Sequence, residues 1–338
     1  MESLGQKGDG DQRLSLSAFG LSLLTPIAPP GAWEARPLAE PTLRLRSATS
    51  RAVAESWSGL DGIGWKGVID GAPFVVERGV AGDHRFVHGA HPDQRGVRSS
   101  DDSDGIRAVH HLSPDASVLQ CAPSSSAELA WWRVVLDSVL FTVALLQGYE
   151  ALHAGAIATP DGAIAITAAT GGGKSTLLAE LLGRGLALMA DDVLVLEPQG
   201  AHEAPLAHPA PPLMTVPAAR IPALRRVGPA ETISSLEQER WIAFPVYPEP
   251  LSLKALVVLD RRPGLETSLE RIEDPLAPLL GSLMSFPRSL ERQRTRFELA
   301  SVLAAKTALW RLTADLGTPP DVLADTLLAY VRGSSSRY

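Results

Sequence analysis

One stretch limits what this chain can fold into more than any other. An apolar run, Ala163-Ile164-Ala165-Ile166-Thr167, leads into Ala168-Ala169-Thr170-Gly171-Gly172-Gly173-Lys174-Ser175-Thr176 and then into the helix formers Leu177-Leu178-Ala179-Glu180-Leu181-Leu182. Strand, glycine-rich turn, Lys-Ser and helix, in that order, build a phosphate cradle. Backbone N–H groups of the turn point inward, and the N-terminus of the following helix adds its partial positive charge. Residues Thr170 to Thr176 are therefore the expected phosphate-binding segment. Lys174 is placed to reach the outer phosphates, and the Ser175 hydroxyl to hold Mg²⁺. The usual pattern is G-x-x-x-x-G-K-[ST], and Ala168 stands where it has its first glycine.

The flanks fit the same plan. The helix formers meet no breaker before Gly183 and Gly185. A second apolar segment, Leu186-Ala187-Leu188-Met189-Ala190, then delivers Asp191-Asp192, followed by Val193-Leu194-Val195-Leu196. Two adjacent carboxylates at a strand end, one helix after a phosphate loop, suit Mg²⁺ binding and proton abstraction. Neighbouring side chains on an extended segment point to opposite sides, so the two cannot do the same job. The sequence leaves open which carboxylate does which.

From His153 through the glycine loop and Arg184-Gly185 to Ala190-Asp191-Asp192, the chain resembles the catalytic core of HPr kinase/phosphorylase. Leu152-His153-Ala154-Gly155-Ala156 matches that family's His-small-small stretch. The chain looks closest to divergent homologues, some of which phosphorylate a precursor peptide on serine. The resemblance implies an α/β P-loop kinase domain related to phosphoenolpyruvate carboxykinase, using ATP and Mg²⁺. It implies Ser175 and Asp192 as metal-placing residues, Lys174 on the phosphates, and Asp191 as the base. His153 would hold or tune the Asp191 carboxylate. One departure matters: no Glu-x-Arg-Gly-Leu-Gly signature follows the Asp pair, which counts against a phosphorylase activity. The expected acceptor is a serine hydroxyl of a peptide or small protein. Self-association into a homo-oligomer is left open. The alternatives are a non-catalytic ATP-binding regulator or scaffold, and a kinase of a small-molecule hydroxyl.

Composition narrows the rest. A chain of 338 residues with 45% hydrophobic and 20% charged residues can bury a core, and suggests two domains or one with a large extension. The net charge of −7 argues against general nucleic-acid binding, since no excess positive charge faces a phosphate backbone. Cys121 is the single cysteine, so an internal disulfide and a cysteine metal cluster are excluded. The N-terminal residues lack the apolar core of a signal peptide, and Trp131 to Leu146 carries Arg133 and Asp137 and is too short to span a bilayer. A cytoplasmic protein away from membranes is the expectation.

The expected division is a disordered tail over 1–13, a β-rich domain over 14–149 ending in a helix, a kinase domain over 150–332 and a flexible tail over 333–338. Leu14 to Phe19 and Leu43 to Arg46 alternate with period two, and Gly67 to Glu77 reads as two strands about Asp70-Gly71. Gly96 to Gly105 reads as an exposed loop. His84, His88, His91, His110 and His111 read as surface or loop histidines, because glycines and Pro92 disfavour the helix that would align the first three. Glu128 to Gln147 has helical spacing. Thr159-Pro160-Asp161-Gly162 reads as a hairpin turn between Ala154–Ala158 and Ala163–Thr167. Glu197 to Pro217 is expected to be a loop crossing the active-site side, with a short helix near Ala218 to Arg226. Leu253 to Leu259 reads as a central strand, and the remainder as mainly helical: Ala277 to Met284, Glu291 to Ala305 and Pro320 to Tyr330. Arg288, Arg292, Arg294 and Arg296 read as a solvated helix face.

Overall fold

The computed structural model describes residues 14–26, 28–30, 33, 40–69, 72–89, 106–123, 128–200, 203–236, 239–284 and 290–335. The expected N-terminal tail, the Asp70-Gly71 turn, the Gly96–Gly105 loop, His91 and Arg288 lie outside these residues. The fold is mixed α/β, with several sheets and few helices.

The N-terminal part is β-rich. Strands β1 (Leu14–Ala18), β2 (Leu21–Thr25) and β3 (Leu43–Ser47) precede a short helix α1 (Ser50–Ser56). Then come β4 (Leu60–Ile69), β5 (Ala72–Gly79), β6 (His84–Gly89), β7 (Ile106–Leu112) and β8 (Val118–Pro123). They form one eight-stranded sheet in the order β1-β2-β3-β8-β7-β6-β5-β4. Of these histidines, His84, His88, His110 and His111 lie on its strands, and three of the four are interior, contrary to the surface expectation. His88, His110 and His111 are buried on β6 and β7. His110 stacks on Trp131, and burial, with His88 nearby, lowers its pKa to about 3. His111 Nε2 lies 2.8 Å from Asp83 Oδ2.

The chain leaves this sheet by a continuous helix: α2 (Glu128–Val134), one π-helical turn (Val135–Val139) and α3 (Leu140–Leu146). From Val134 to Leu145 every residue except Asp137 is buried. A helix apolar on nearly all sides must be covered on all sides. One hydrophobic cluster accordingly joins Phe19, Leu43, Phe74 and Leu119 of the first sheet, this helix, and Leu152, Leu194 and Leu256 of the second.

The second sheet is built from β9 (Glu150–His153), β10 (Gly155–Thr159), β11 (Gly162–Ala168), helix α4 (Lys174–Gly183), β12 (Ala187–Ala190), β13 (Val193–Glu197) and β14 (Leu206–His208). Next come β15 (Leu213–Pro217), a 3₁₀ turn (Ala218–Arg220), α5 (Ile221–Leu224), β16 (Glu231–Leu236), β17 (Glu239–Ala243) and β18 (Leu251–Arg261). The chain closes with β19 (Ser268–Arg271), α6 (Leu276–Ser282), α7 (Leu290–Lys306), β20 (Ala308–Ala314) and α8 (Pro320–Ser335). The main order is β12-β10-β11-β18-β14-β13-β9, with β20 also on β18 and β19 on β20; β15-β17-β16 form a separate small sheet. β11, β18 and β20 run parallel. Alternation sorts β11 between two cores: Ala163 and Ala165 face the helix shared with the first sheet, while Ile164 and Ile166 pack with α4 and α8.

Four further expectations change. The stretch 197–217 holds β14 and β15, each flanked by prolines whose density had suggested a loop. The C-terminal remainder holds β19 and β20 among its helices. Helix α8 runs to Ser335, three residues into the expected tail. Two of the arginines on α7 are anchored rather than solvated. Arg292 bonds to Glu150 Oε2 at 2.8 Å and to Leu145 O at 2.6 Å, and Arg296 to Leu283 O at 3.0 Å.

Candidate active site

The loop between β11 and α4 adopts the shape its glycines allow. Gly171 (φ +73°) and Gly173 (φ +95°) take left-handed conformations closed to most side chains. Gly172 N–H donates to Ala169 O at 2.8 Å, closing the turn, and Gly173 caps α4. Thr170 and Gly171 are exposed at the apex, Ser175 and Thr176 half-buried in the first helical turn, and Lys174 buried.

Beneath the loop, β12 ends at Ala190 and sends the two aspartates in different directions. Asp191 turns inward and is buried. Its Oδ2 accepts from Thr215 N–H at 2.7 Å, and its Oδ1 is enclosed without a hydrogen-bond partner. Burial pushes its pKa up to about 6, against the pull of Lys174, the Thr215 N–H and the nearby Ser175 hydroxyl. Asp192 turns outward, its side chain 62% exposed. Its pKa falls below the usual value: partial desolvation opposes this, but Lys174 and His153 outweigh it. Lys174 Nζ donates to Asp192 Oδ1 at 2.6 Å and to the Asp191 carbonyl at 2.7 Å, bypassing the Asp191 carboxylate. His153 was expected beside Asp191. Its Nδ1 instead lies 3.6 Å from Asp192 Oδ2, because the half-exposed end of β9 shares a side with the outward aspartate.

A cavity of about 130 Å³ opens on the pair. Asp191, Asp192, Leu213, Thr215 and Trp241 line it from the C-terminal part, and Phe19, Arg133 and Asp137 from the N-terminal part. Phe19 (φ +56°) and Gly20 (φ +77°) make the tight turn of the β1–β2 hairpin. Positive φ suits this kind of hairpin turn but costs a bulky residue, so Phe19 is held strained at the cavity. Its ring meets Phe141 edge-on at 6.4 Å, and its N–H donates to Pro209 O at 2.7 Å. Asp137 comes from the π-helical turn.

No family model matches the chain, and no curated protein does. Among solved structures, the HPr(Ser) kinase/phosphatase from Coxiella burnetii aligns at 13% identity and a TM-score of 0.31, over 55% of this chain and 98% of that one.

The residues fit a nucleotide with its metal. The exposed apex has room, since a Cβ on Gly171 would meet nothing within 4 Å. Among the described residues no cluster of three or more His, Cys, Asp or Glu could cage a cation. Mg²⁺ does not need one: one or two carboxylates, water and phosphate oxygens suffice. Asp192, ionised and at the surface, is suited to that part.

Sequence reasoning missed Phe19, Arg133, Asp137, Thr215 and Trp241. Thr215 acts through its backbone N–H, which leaves no mark in a side-chain pattern. The positive φ of Phe19 could have been suspected from Phe19-Gly20 between two alternating runs. No helix among the described residues is long and apolar enough to cross a membrane.

Proposed function

We propose that the chain is a phosphotransferase that moves the γ-phosphoryl group of ATP to a hydroxyl, that of a serine in a peptide or small protein. The observation that carries this reading is the split of the Asp pair: below one glycine-rich loop, a buried carboxyl with raised proton affinity sits next to an exposed, ionised one.

ATP would supply the phosphoryl group, and Mg²⁺ the neutralisation of its oxygens. The loop N–H groups and Lys174 would hold the phosphates, with Ser175 and Asp192 placing the metal. Lys174 would exchange Asp192 for phosphate oxygens. Asp191, with a pKa of about 6, is mostly ionised at neutral pH yet more basic than an ordinary aspartate. It would accept the acceptor's proton as the new O–P bond forms and the bond to the β-phosphate oxygen breaks, releasing ADP. His153 would act on Asp192, keeping it ionised. The cavity beside the pair would admit the acceptor hydroxyl.

A kinase of a small-molecule hydroxyl is the second reading, favoured by the cavity's size. At about 130 Å³ it is below the roughly 300–1,000 Å³ of pockets for drug-sized ligands. Incubation with γ-labelled ATP, Mg²⁺ and separate sets of serine peptides and small hydroxy acids tests both. Label on a peptide serine supports the first, and label on small molecules alone supports the second. Nucleotide binding without transfer to any acceptor would favour the non-catalytic alternative.

A further inference from the structure

The strand beside the phosphate loop ends in an arginine whose bonding is lopsided. Arg261 is the last residue of β18, which runs parallel to β11 with Ala168 opposite Leu259. Two residues beyond that pair, β18 has reached the level of the loop. Ligands in open α/β sheets bind outside the carboxyl ends of parallel strands, and β11, β18 and β20 all end here. The Arg261 guanidinium lies against the loop: Nη1 is 3.0 Å from where a Cβ on Gly173 would stand.

One nitrogen is fully engaged. Nη2 donates to the carbonyls of Leu316, of Thr318 at 3.1 Å and of Asp315 at 3.5 Å, all in the turn between β20 and α8. Among the described residues Nη1 and Nε have no acceptor, and Nε is enclosed. No carboxylate among the described residues pairs with the group. Asp315, the acid whose pKa it helps to lower, spends its own oxygens on the N–H groups of Gly264 and Gly317. A guanidinium pinned at one corner, with Nη1 idle beside the glycine-rich loop and no carboxylate bonded to it, is pre-ordered for an anion.

We propose that Arg261 is a phosphate-binding residue of the nucleotide site, contributing a second cation besides Lys174. This rests on the reading of the loop as a nucleotide phosphate site. A Cβ on Gly173 would crowd the Arg261 fork as well as strain the backbone.

The test is calorimetric titration of the full chain with Mg·ATP, Mg·ADP and AMP, on the wild type, Arg261→Gln and Arg261→Lys. Loss of a charge-assisted hydrogen bond predicts that Arg261→Gln weakens ATP by about tenfold to a hundredfold, ADP less and AMP within about twofold. Arg261→Lys keeps the charge without the fork and should weaken ATP by about three- to tenfold, with AMP unchanged. Should Arg261→Gln fail to fold, the lysine variant decides alone. ATP and AMP weakened alike would make Arg261 a structural tie to the Asp315–Thr318 turn, and ATP binding at the wild-type level would remove it from the site. A wild type that binds no nucleotide overturns the loop reading itself, an outcome distinct from either.

Discussion

Two of the buried carboxyls, Asp191 and Glu150, sit in contrasting surroundings. Asp191 lies under the glycine-rich loop, and Glu150 at the joint where α3, β9 and α7 meet. Burial pushes the pKa of both upward, and both have a cation close by. What separates them is where the cation bonds. Arg292 grips the Glu150 carboxylate directly and the Leu145 carbonyl with it, tying three elements into one unit. Lys174 passes over the Asp191 carboxylate, bonds to the carbonyl behind it, and gives its charge to Asp192. Burial alone does not mark a working acid. Both line a cavity, but Asp191 does so without a direct ion pair, whereas Glu150 is locked to Arg292.

Replacement of each acid by its amide breaks the comparison most sharply. Asp191→Asn should lose transfer by about 10²–10⁴, the usual cost of removing a general base, while Mg·ATP still binds. Glu150→Gln should leave the transfer rate within about twofold, since nothing ties that residue to the reacting atoms. Single-turnover transfer and nucleotide titration on both variants decide it. Equal losses in the two would mean that both act through the fold.

The joint should respond to loss of its cation rather than its acid. Arg292→Met strands a buried carboxylate and should cost about 3–5 kcal/mol in chemical denaturation. Adding Glu150→Gln to it should return part of that loss. A single mutant as stable as the wild type would show that the pair is not the fastening described here.

Stability against pH has the same sign at both acids, because both pKa values are raised. The folded pKa of Asp191, about 6, lies above its ordinary value of 3.8. A raised carboxyl pKa means that the folded state holds the proton more tightly than the unfolded chain. That contribution is fully present below pH 3.8 and is lost as pH rises through 6. Asp191→Asn should therefore match the wild type in acid and exceed it at neutral pH by at most about 3 kcal/mol. Denaturation from pH 4 to 8 checks this. A variant less stable than the wild type at pH 7 would mean that Asp191 holds the fold together.

What the sequence made legible is the part of the site carried by consecutive residues. Strand, loop, Lys174, helix and Asp pair lie in one run, and each names its own conformation through glycine, helix formers or apolar alternation. Partners brought by distant strands left little trace. Thr215 sits on β15, masked by Pro209, Pro211, Pro212 and Pro217. Arg261 lies two residues beyond the Leu253–Leu259 run, and its closeness to Gly173 depends on the parallel pairing of β18 with β11. β20 was lost because its Ala308-Leu309-Trp310-Arg311 start follows directly on a helix, with no breaker between. Arg292 read as a surface charge because helical spacing alone does not show that α7 packs over the end of α3.

The smallest expected effect concerns Ala168, where the common phosphate-loop pattern has glycine. Ala168 is the last residue of β11, paired with Leu259, half-buried and packed against the core shared with α4. A Cβ built on Gly172 would come within 3.1 Å of the Ala168 methyl, so that methyl helps to fill the base of the loop. Glycine here would give up this contact and loosen a strand end, for about 0.5–1 kcal/mol of stability. The donors proposed to face a phosphate are supplied by the residues that follow. Ala168→Gly should therefore change Mg·ATP affinity by no more than about twofold while lowering the denaturation midpoint slightly. Titration beside urea melts tests both halves. A large gain in ATP affinity would show that the methyl holds the loop away from its binding shape, and the contrast between a working acid and a locked one would then describe a site tuned for something other than turnover.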